Sequence, residues 1–398
     1  MNNPEDTSKV VNIENSSDRG HKDSEESKAF SLWKVLLPVL IGLGVVALMF
    51  WHESKKENLD QIWSRIEFTP WVIFCLFLGV FCMGLRDIGL TWRFRALTDR
   101  QLSWKQAWRV DMMCEFTNCV TPSAVGGSSL GPVFLNAEGI EFGRATTLML
   151  TTLFMDELFF VVSCPIIVLL TPQSEIFSSG AATFSSGIKF TFWAVYAFIS
   201  LWTFILFTGI IWKPMWIQAV LNKIAKWRFL RKWSTSILGL AENMIATSKE
   251  LRTKPIRFWM EVFWGTALSW TARYFVVNAL FLGFLPGTDR YQWIILARQF
   301  VIWVVLMVSP TPGGAGLSEW IFSNYYGDLV GTSAMALILA IFWRLITYYL
   351  YLVIGSVIVP QWFRTTYARF KARHKSETSD APTLTAQAAS SGAETTTE

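Results

Sequence analysis

Apolar residues run along this chain in long blocks, not in the short alternations of a strand or the stripes of a soluble helix. Six blocks, about residues 32–51, 70–92, 144–171, 188–212, 256–284 and 333–360, are each long enough to span a bilayer. About 20 helical residues suffice to cross a hydrocarbon core of about 30 Å. Two further apolar segments, about 103–140 and 291–325, are interrupted by turn-forming residues. The first contains TPSAVGGSSLG, from Thr121 to Gly131, and the second SPTPGGAGLSEW, from Ser309 to Trp320. Proline removes a backbone donor and glycine tolerates conformations that a helix interior forbids. Both phrases therefore break a helix where the surrounding pattern would continue one. At membrane depth, unwound backbone survives only when buried in protein or lining a polar cavity. The segments read as re-entrant helical hairpins, with Gly126, Gly127, Pro310, Pro312, Gly313 and Gly314 supplying the bent backbone. The expected fold class is an all-α polytopic membrane protein of about six full spans plus two hairpins.

Composition supports this class. The 398 residues are 52% hydrophobic and 16% charged, with 21 Trp and 31 Phe, which is too apolar for a soluble globule. A largely polar stretch of 31 residues precedes the first apolar run, so no cleavable signal peptide is expected. Residues 1–30 read as a disordered cytoplasmic tail, 31–362 as one transmembrane domain, and 363–398 as a basic and then disordered tail. The net charge of +5 sits in loops beside spans and is no sign of nucleic-acid binding.

Loop charge sets the expected orientation. Residues 93–109 hold five Lys or Arg against one acid, and 213–257 hold ten against two. Residues 172–187 hold none, only Glu175. The positive-inside rule then places both termini in the cytoplasm of a bacterial inner membrane. The segment 214–233, mixing Trp, Ile and Leu with Lys and Arg, is expected in the inner interface. In this orientation the hairpins enter from opposite sides and their flanking spans run in opposite senses. That is an inverted repeat, about 70–171 and 256–360, in which paired breaks point to a transporter's substrate site. Aligning Gly126-Gly127 on Gly313-Gly314 fixes an offset of 187 residues. The same offset carries Arg86 onto Arg273, Asp111 onto Arg298 and Glu157 onto Arg344.

Ionisable residues within the spans are the candidate binding groups, because a charge at the bilayer centre costs about 2.5–3.5 kcal/mol on insertion scales and needs a partner or a polar cavity. Glu157 and Arg344, of opposite sign at equivalent positions, are expected to face one central cavity, or to form a structural ion pair. Glu319 follows the second Gly-Gly and is placed either to handle a cation or proton, or to cap the returning helix. Arg298 and Arg273 suit a lipid phosphate. Arg86 is expected to snorkel toward its cytoplasmic end, and the role of Glu115 is open.

Other chemistries fit poorly. Gly127 to Gly131 matches G-x-S-x-G, but a nucleophile elbow needs a preceding strand and a histidine base. The three histidines, His21, His52 and His374, lie in tails or a loop. The five cysteines form no CxxC pair and read as packing residues, so no metal, cofactor or enzymatic role is expected.

At these residues the chain resembles the membrane region of lysylphosphatidylglycerol synthases, a family of flippase-like membrane proteins. The likeness is strongest in SPTPGGAGLSEW, with Pro310, Pro312, Gly313, Gly314, Gly316 and Glu319 in the family's pattern, and continues from Ala336 to Gly355 through Arg344, Thr347 and Tyr348. Ser128 and Ser129 stand where the family often has an acid and an arginine, and Asp156-Glu157 where it has Glu-Arg. The resemblance implies a lipid-translocating module acting on membrane lipids. The soluble aminoacyl-transfer domain of the two-domain synthases is not expected, so a lipid-synthesising enzyme would be encoded separately. The leading expectation is a transporter moving a phospholipid or lipid-linked head group between leaflets. A small-solute or ion carrier, and a lipid-modifying enzyme or its accessory subunit, stand as alternatives.

Overall fold

The computed structural model describes residues 51, 68–121, 126–178, 182–213, 215, 216, 219, 223, 234–307, 309, 311, 313–360 and 362. The two expected tails, all but the end of the 32–51 run, most of the interfacial segment 214–233, and Pro310 and Pro312 lie outside them. Every regular element among the described residues is helical. In chain order these are α1 (Pro70–Leu97), α2 (Trp104–Val120), α3 (Gly126–Ala137), α4 (Phe142–Leu170), α5 (Gln173–Ile176) and α6 (Ala182–Phe207). There follow α7 (Ser234–Thr253), α8 (Ile256–Phe284), α9 (Gln292–Leu306), α10 (Leu317–Tyr325), α11 (Gly327–Val330) and α12 (Ser333–Arg344). Wide π-turns extend α6 over Thr208–Trp212 and α12 over Leu345–Tyr349.

Local chemistry sets the helix ends. Thr69 caps α1 by accepting from the Val72 amide, with Pro70 at the first helical position, where no donor is needed. Ser103 and Gln106 form a reciprocal capping box at the start of α2. Pro165 interrupts α4 and so frees the Val161 carbonyl, which accepts the Tyr196 hydroxyl of α6 at 3.0 Å.

Four helical stretches are long and apolar enough to cross a membrane: Pro70–Leu97, Phe142–Leu170, Thr183–Trp212 and Ser333–Pro360. They fall on four of the six expected runs. The fifth run, 256–284, forms the 29-residue α8, but is not among the four. It carries Arg257, which is exposed, and Glu261 and Arg273, which are half-buried, and it lies along α1.

That pairing is the spine of the protein. A Cβ on Gly89 would stand 2.7 Å from the Gly265 carbonyl oxygen, and one on Gly265 3.0 Å from that of Gly89. Toward the other end Gly79 meets Val276, and Gly283 meets Cys75. Partner numbers fall as α1 numbers rise, so the helices are antiparallel, and small residues let their backbones approach. The order of elements also repeats. Moving the starts of α1 to α4 by 187 residues takes 70 to 257, 104 to 291, 126 to 313 and 142 to 329. The observed starts of α8, α9, α10 and α12 are 256, 292, 317 and 333.

Candidate functional site

The two breaks meet at one tyrosine. In the second, Gly313, Gly314 and Gly316 adopt positive φ of 56°, 72° and 82°, conformations that cost an L side chain about 1–2 kcal/mol. A Cβ on Gly313 would collide with the Tyr348 ring, 2.2 Å from Cε2. The Tyr348 hydroxyl donates to the Cys119 carbonyl at 3.0 Å, in the last turn of α2 and two residues before Thr121. Tyr348 lies in the π-turn that follows α12, a distortion often found at functional sites.

Glu319 and Arg344 hold the second break in shape. Glu319 is fully buried and its Oε2 accepts from the Gly316 amide and the Ser318 hydroxyl, both at 2.8 Å. This is half of a capping box, since Gly316 has no side chain to return the bond. Oε1 accepts from Arg344 Nε at 3.1 Å, and Arg344 Nη2 donates to the Gly313 carbonyl at 2.8 Å. The Arg344 guanidinium also stacks 4.0 Å from the Tyr348 ring centroid. The expected cavity shared by Glu157 and Arg344, or an ion pair between them, is therefore not what forms. Arg344 takes Glu319 instead, because the capping geometry already holds that carboxylate one helix away.

Arg298 is likewise engaged. Its five N–H donors reach Asp328 Oδ1 and Oδ2 at 2.6 and 2.7 Å, the Tyr325 carbonyl at 2.9 Å, and the Glu175 carbonyl at 3.2 and 2.9 Å. Only 1% of the residue is exposed. No donor remains for a phosphate, so the expected phosphate-facing role gives way to a clamp joining α5, α9 and the α10–α11 corner. Arg86 does not snorkel. It is buried at mid-helix and binds Glu115 at 2.6 Å and Asp87 at 2.9 Å, while Asp87 also accepts the Tyr351 hydroxyl. Arg93 joins α1 to α4 through Asp156 at 2.5 Å and to α8 through Thr266 at 3.2 Å.

Against these matched pairs, Arg273 stands apart. Near the middle of α8, it has no ion-pair partner among the described residues and lies against aromatic faces, 5.9 Å from Trp270 and 5.1 Å from Trp303. The Trp270 and Trp303 centroids are 4.5 Å apart, and Tyr274 stacks on Trp270 at 6.1 Å. Trp303 Nε1 and the Tyr274 hydroxyl are buried with no hydrogen-bond partner. Arg273 thus shares one aromatic cluster with two buried donors that nothing receives. The neighbours of Glu157 in α4 reach this cluster: Asp156 accepts from Trp270 Nε1 at 2.8 Å, and Phe160 packs edge-on to Trp270 at 5.0 Å. Glu157 is 6% exposed and its Oε2 has no partner, as is true of Oδ2 in buried Asp111.

Arg273 and Glu157 thus remain available for a ligand, whereas Arg298, Arg344 and Glu319 are committed within the protein. Gly126 and Gly127 open α3, and Gly313 and Gly314 shape the second break. Tyr348, Trp303 and Tyr274 were not among the expected binding groups. In a chain with 21 Trp and 31 Phe, an aromatic in an apolar run carries no mark of function. Only Tyr348 lay in a patterned stretch. The described residues hold no cluster of metal-ligating side chains.

A UPF0104 membrane protein from Archaeoglobus fulgidus is 23% identical over 340 residues, which covers 81% of this chain and 95% of the relative. No solved structure matches. The family described as lysylphosphatidylglycerol synthase TM region matches residues 35–355, nearly all of the helical domain, and the chain belongs to that family.

Proposed function

We propose that this protein translocates a phospholipid or lipid-linked head group between leaflets, without modifying it, and that Arg273 receives the phosphate. The observation that carries this reading is Arg273, half-buried against Trp270 and Trp303 with no ion-pair partner among the described residues, beside Trp303 Nε1 and the Tyr274 hydroxyl, which are buried without an acceptor. An unpaired buried polar group costs about 1–3 kcal/mol, and such groups are rarely retained without use. A phosphate supplies several acceptor oxygens and a charge suited to a guanidinium fork. Glu157 and Asp111, the carboxylates with free oxygens, suit the positive part of a zwitterionic head group or a coupling proton.

In this reading α2–α3 and α9–α10 are re-entrant hairpins of an inverted repeat. Its two-fold axis crosses the α1–α8 contact, close to Arg86 and Arg273. Both hairpin breaks touch Tyr348, so a shift of either can be felt by the other, as alternating access requires. The partners are membrane lipids and a separately encoded enzyme that makes the cargo. The setting is a bacterial inner membrane with cytoplasmic termini.

The test is reconstitution into liposomes carrying head-group-labelled phospholipids, followed by quencher accessibility for wild type, Arg273→Gln and Glu157→Gln. Protein-dependent loss of inner-leaflet protection is expected for wild type and its absence in both variants. No protein-dependent change with any anionic or zwitterionic head group would refute the proposal. Transport of a water-soluble solute instead would point to a small-molecule carrier.

A further inference from the structure

A groove of about 400 Å³ opens on the outer side of α1 and α2, lined by Gly84, Asp87, Ile88, Thr91, Trp104, Lys105 and Trp108. The α1 residues recur at helical spacing and so share one face. Nothing lies within 4 Å of where a Gly84 Cβ would be, in contrast to Gly89, whose missing side chain admits α8. At Gly84 the open space belongs to the groove. Thr91 is 3% exposed and its hydroxyl has no partner.

The lining is polar at two levels. At the basic end stands Lys105, exposed between Trp104 and Trp108, which are 51% and 42% exposed. Tryptophan and lysine side by side mark the membrane–water boundary. Deeper, Asp87 forms the wall. Its Oδ1 accepts from Arg86 and Tyr351 and its Oδ2 from Tyr351 alone, which leaves room for a further donor on a carboxylate with about four acceptor sites. Asp87 and Glu115 bind Arg86 at 2.9 and 2.6 Å, so Asp87 shares that guanidinium with a second carboxylate. Below Gly84 the same helix presents Phe77 and Phe81, 72% and 60% exposed, along one face.

We infer that this groove is a lateral docking site for a single glycerophospholipid with an ammonium head group. The phosphate meets Lys105 and Thr91 at the rim, the head group folds back so that its amine meets Asp87, and an acyl chain lies along Phe77 and Phe81. The chemistry follows from the lining alone; that the groove is also the entrance to the Arg273 site rests on the translocation reading. Asp87 links the two, because it faces the groove and binds Arg86 in the core.

The experiment places the full chain in vesicles of phosphatidylglycerol with a photoactivatable phosphatidylethanolamine or phosphatidylglycerol probe, and maps labelled peptides by mass spectrometry. Ethanolamine-probe labelling is expected to concentrate on residues 77–88 and 104–108, above that of the exposed α6 residues Phe190 and Phe198. Gly84→Phe, which has open space at its Cβ, should remove that excess. Lys105→Glu at the exposed rim should lower it about tenfold, equivalent to about 1.4 kcal/mol. Asp87→Asn should reduce the ethanolamine probe alone. Labelling no stronger than on α6, or unmoved by Gly84→Phe and Lys105→Glu, overturns the site. If Gly84→Phe removes the label yet translocates lipid at the wild-type rate, the groove is not the entrance. Localised labelling with no translocation by wild type would sink the translocation reading and leave the site standing.

Discussion

Arg298 and Arg273 lie in consecutive helices and read alike in the sequence, as cations set in apolar runs. Their surroundings are opposite. Arg298 satisfies all its donors with Asp328 and two peptide carbonyls, at a corner where α5, α9 and α10 meet. Arg273 rests on the faces of Trp270 and Trp303 with no carboxylate in contact, beside two further unsatisfied donors. The difference teaches that a charge inside a membrane protein is not by itself a functional sign. A cation whose donors are all spent is a clamp. One held by aromatic faces, which stabilise charge without consuming hydrogen bonds, stays available to a ligand.

Substitutions can break this contrast. The largest loss of stability is expected for Arg298→Met, which strands Asp328 and two carbonyls; breaking a buried pair costs about 3–5 kcal/mol. A melting temperature in detergent equal to that of wild type would end the distinction between clamp and site. Glu319→Ala should cost about 2–3 kcal/mol, because it leaves Arg344 Nε and the Gly316 amide buried without acceptors. Gly313→Ala should cost about 1–2 kcal/mol through its positive φ alone. It should also push Tyr348 from Cys119, seen as lower translocation in liposomes at a preserved fold. Arg273→Gln sharpens the contrast from the other side. It removes no ion pair, so its stability should stay within about 0.5 kcal/mol of wild type, while lipid movement is lost. A large drop in melting temperature for this variant would make Arg273 a structural residue.

Much of the frame was legible in the chain. Four of the six long apolar runs coincide with helices able to cross a membrane, because hydrocarbon thickness imposes length on sequence. The Gly-Gly pairs located both interruptions, and their spacing of 187 residues anticipates the recurrence of helix starts in the two halves. Charge pairing was less legible. Arg86, expected to snorkel, is buried against Glu115. Arg344, matched by register with Glu157, binds Glu319. Repeat equivalence relates positions by symmetry, and symmetry-related residues need not touch.

The sequence by itself determined the membrane class, the family, the helix lengths and the places where helices must stop. These follow from hydropathy, proline and glycine, which act over a few residues along the chain. Tertiary structure alone decided which charges were spent and which were spare. That choice depends on the close antiparallel approach of α1 and α8 at Gly89 and Gly265, and on the packing of α4, α9 and α12 around them. A guanidinium accepts whichever oxygen lies within about 3 Å, and that proximity is created only when distant segments fold together.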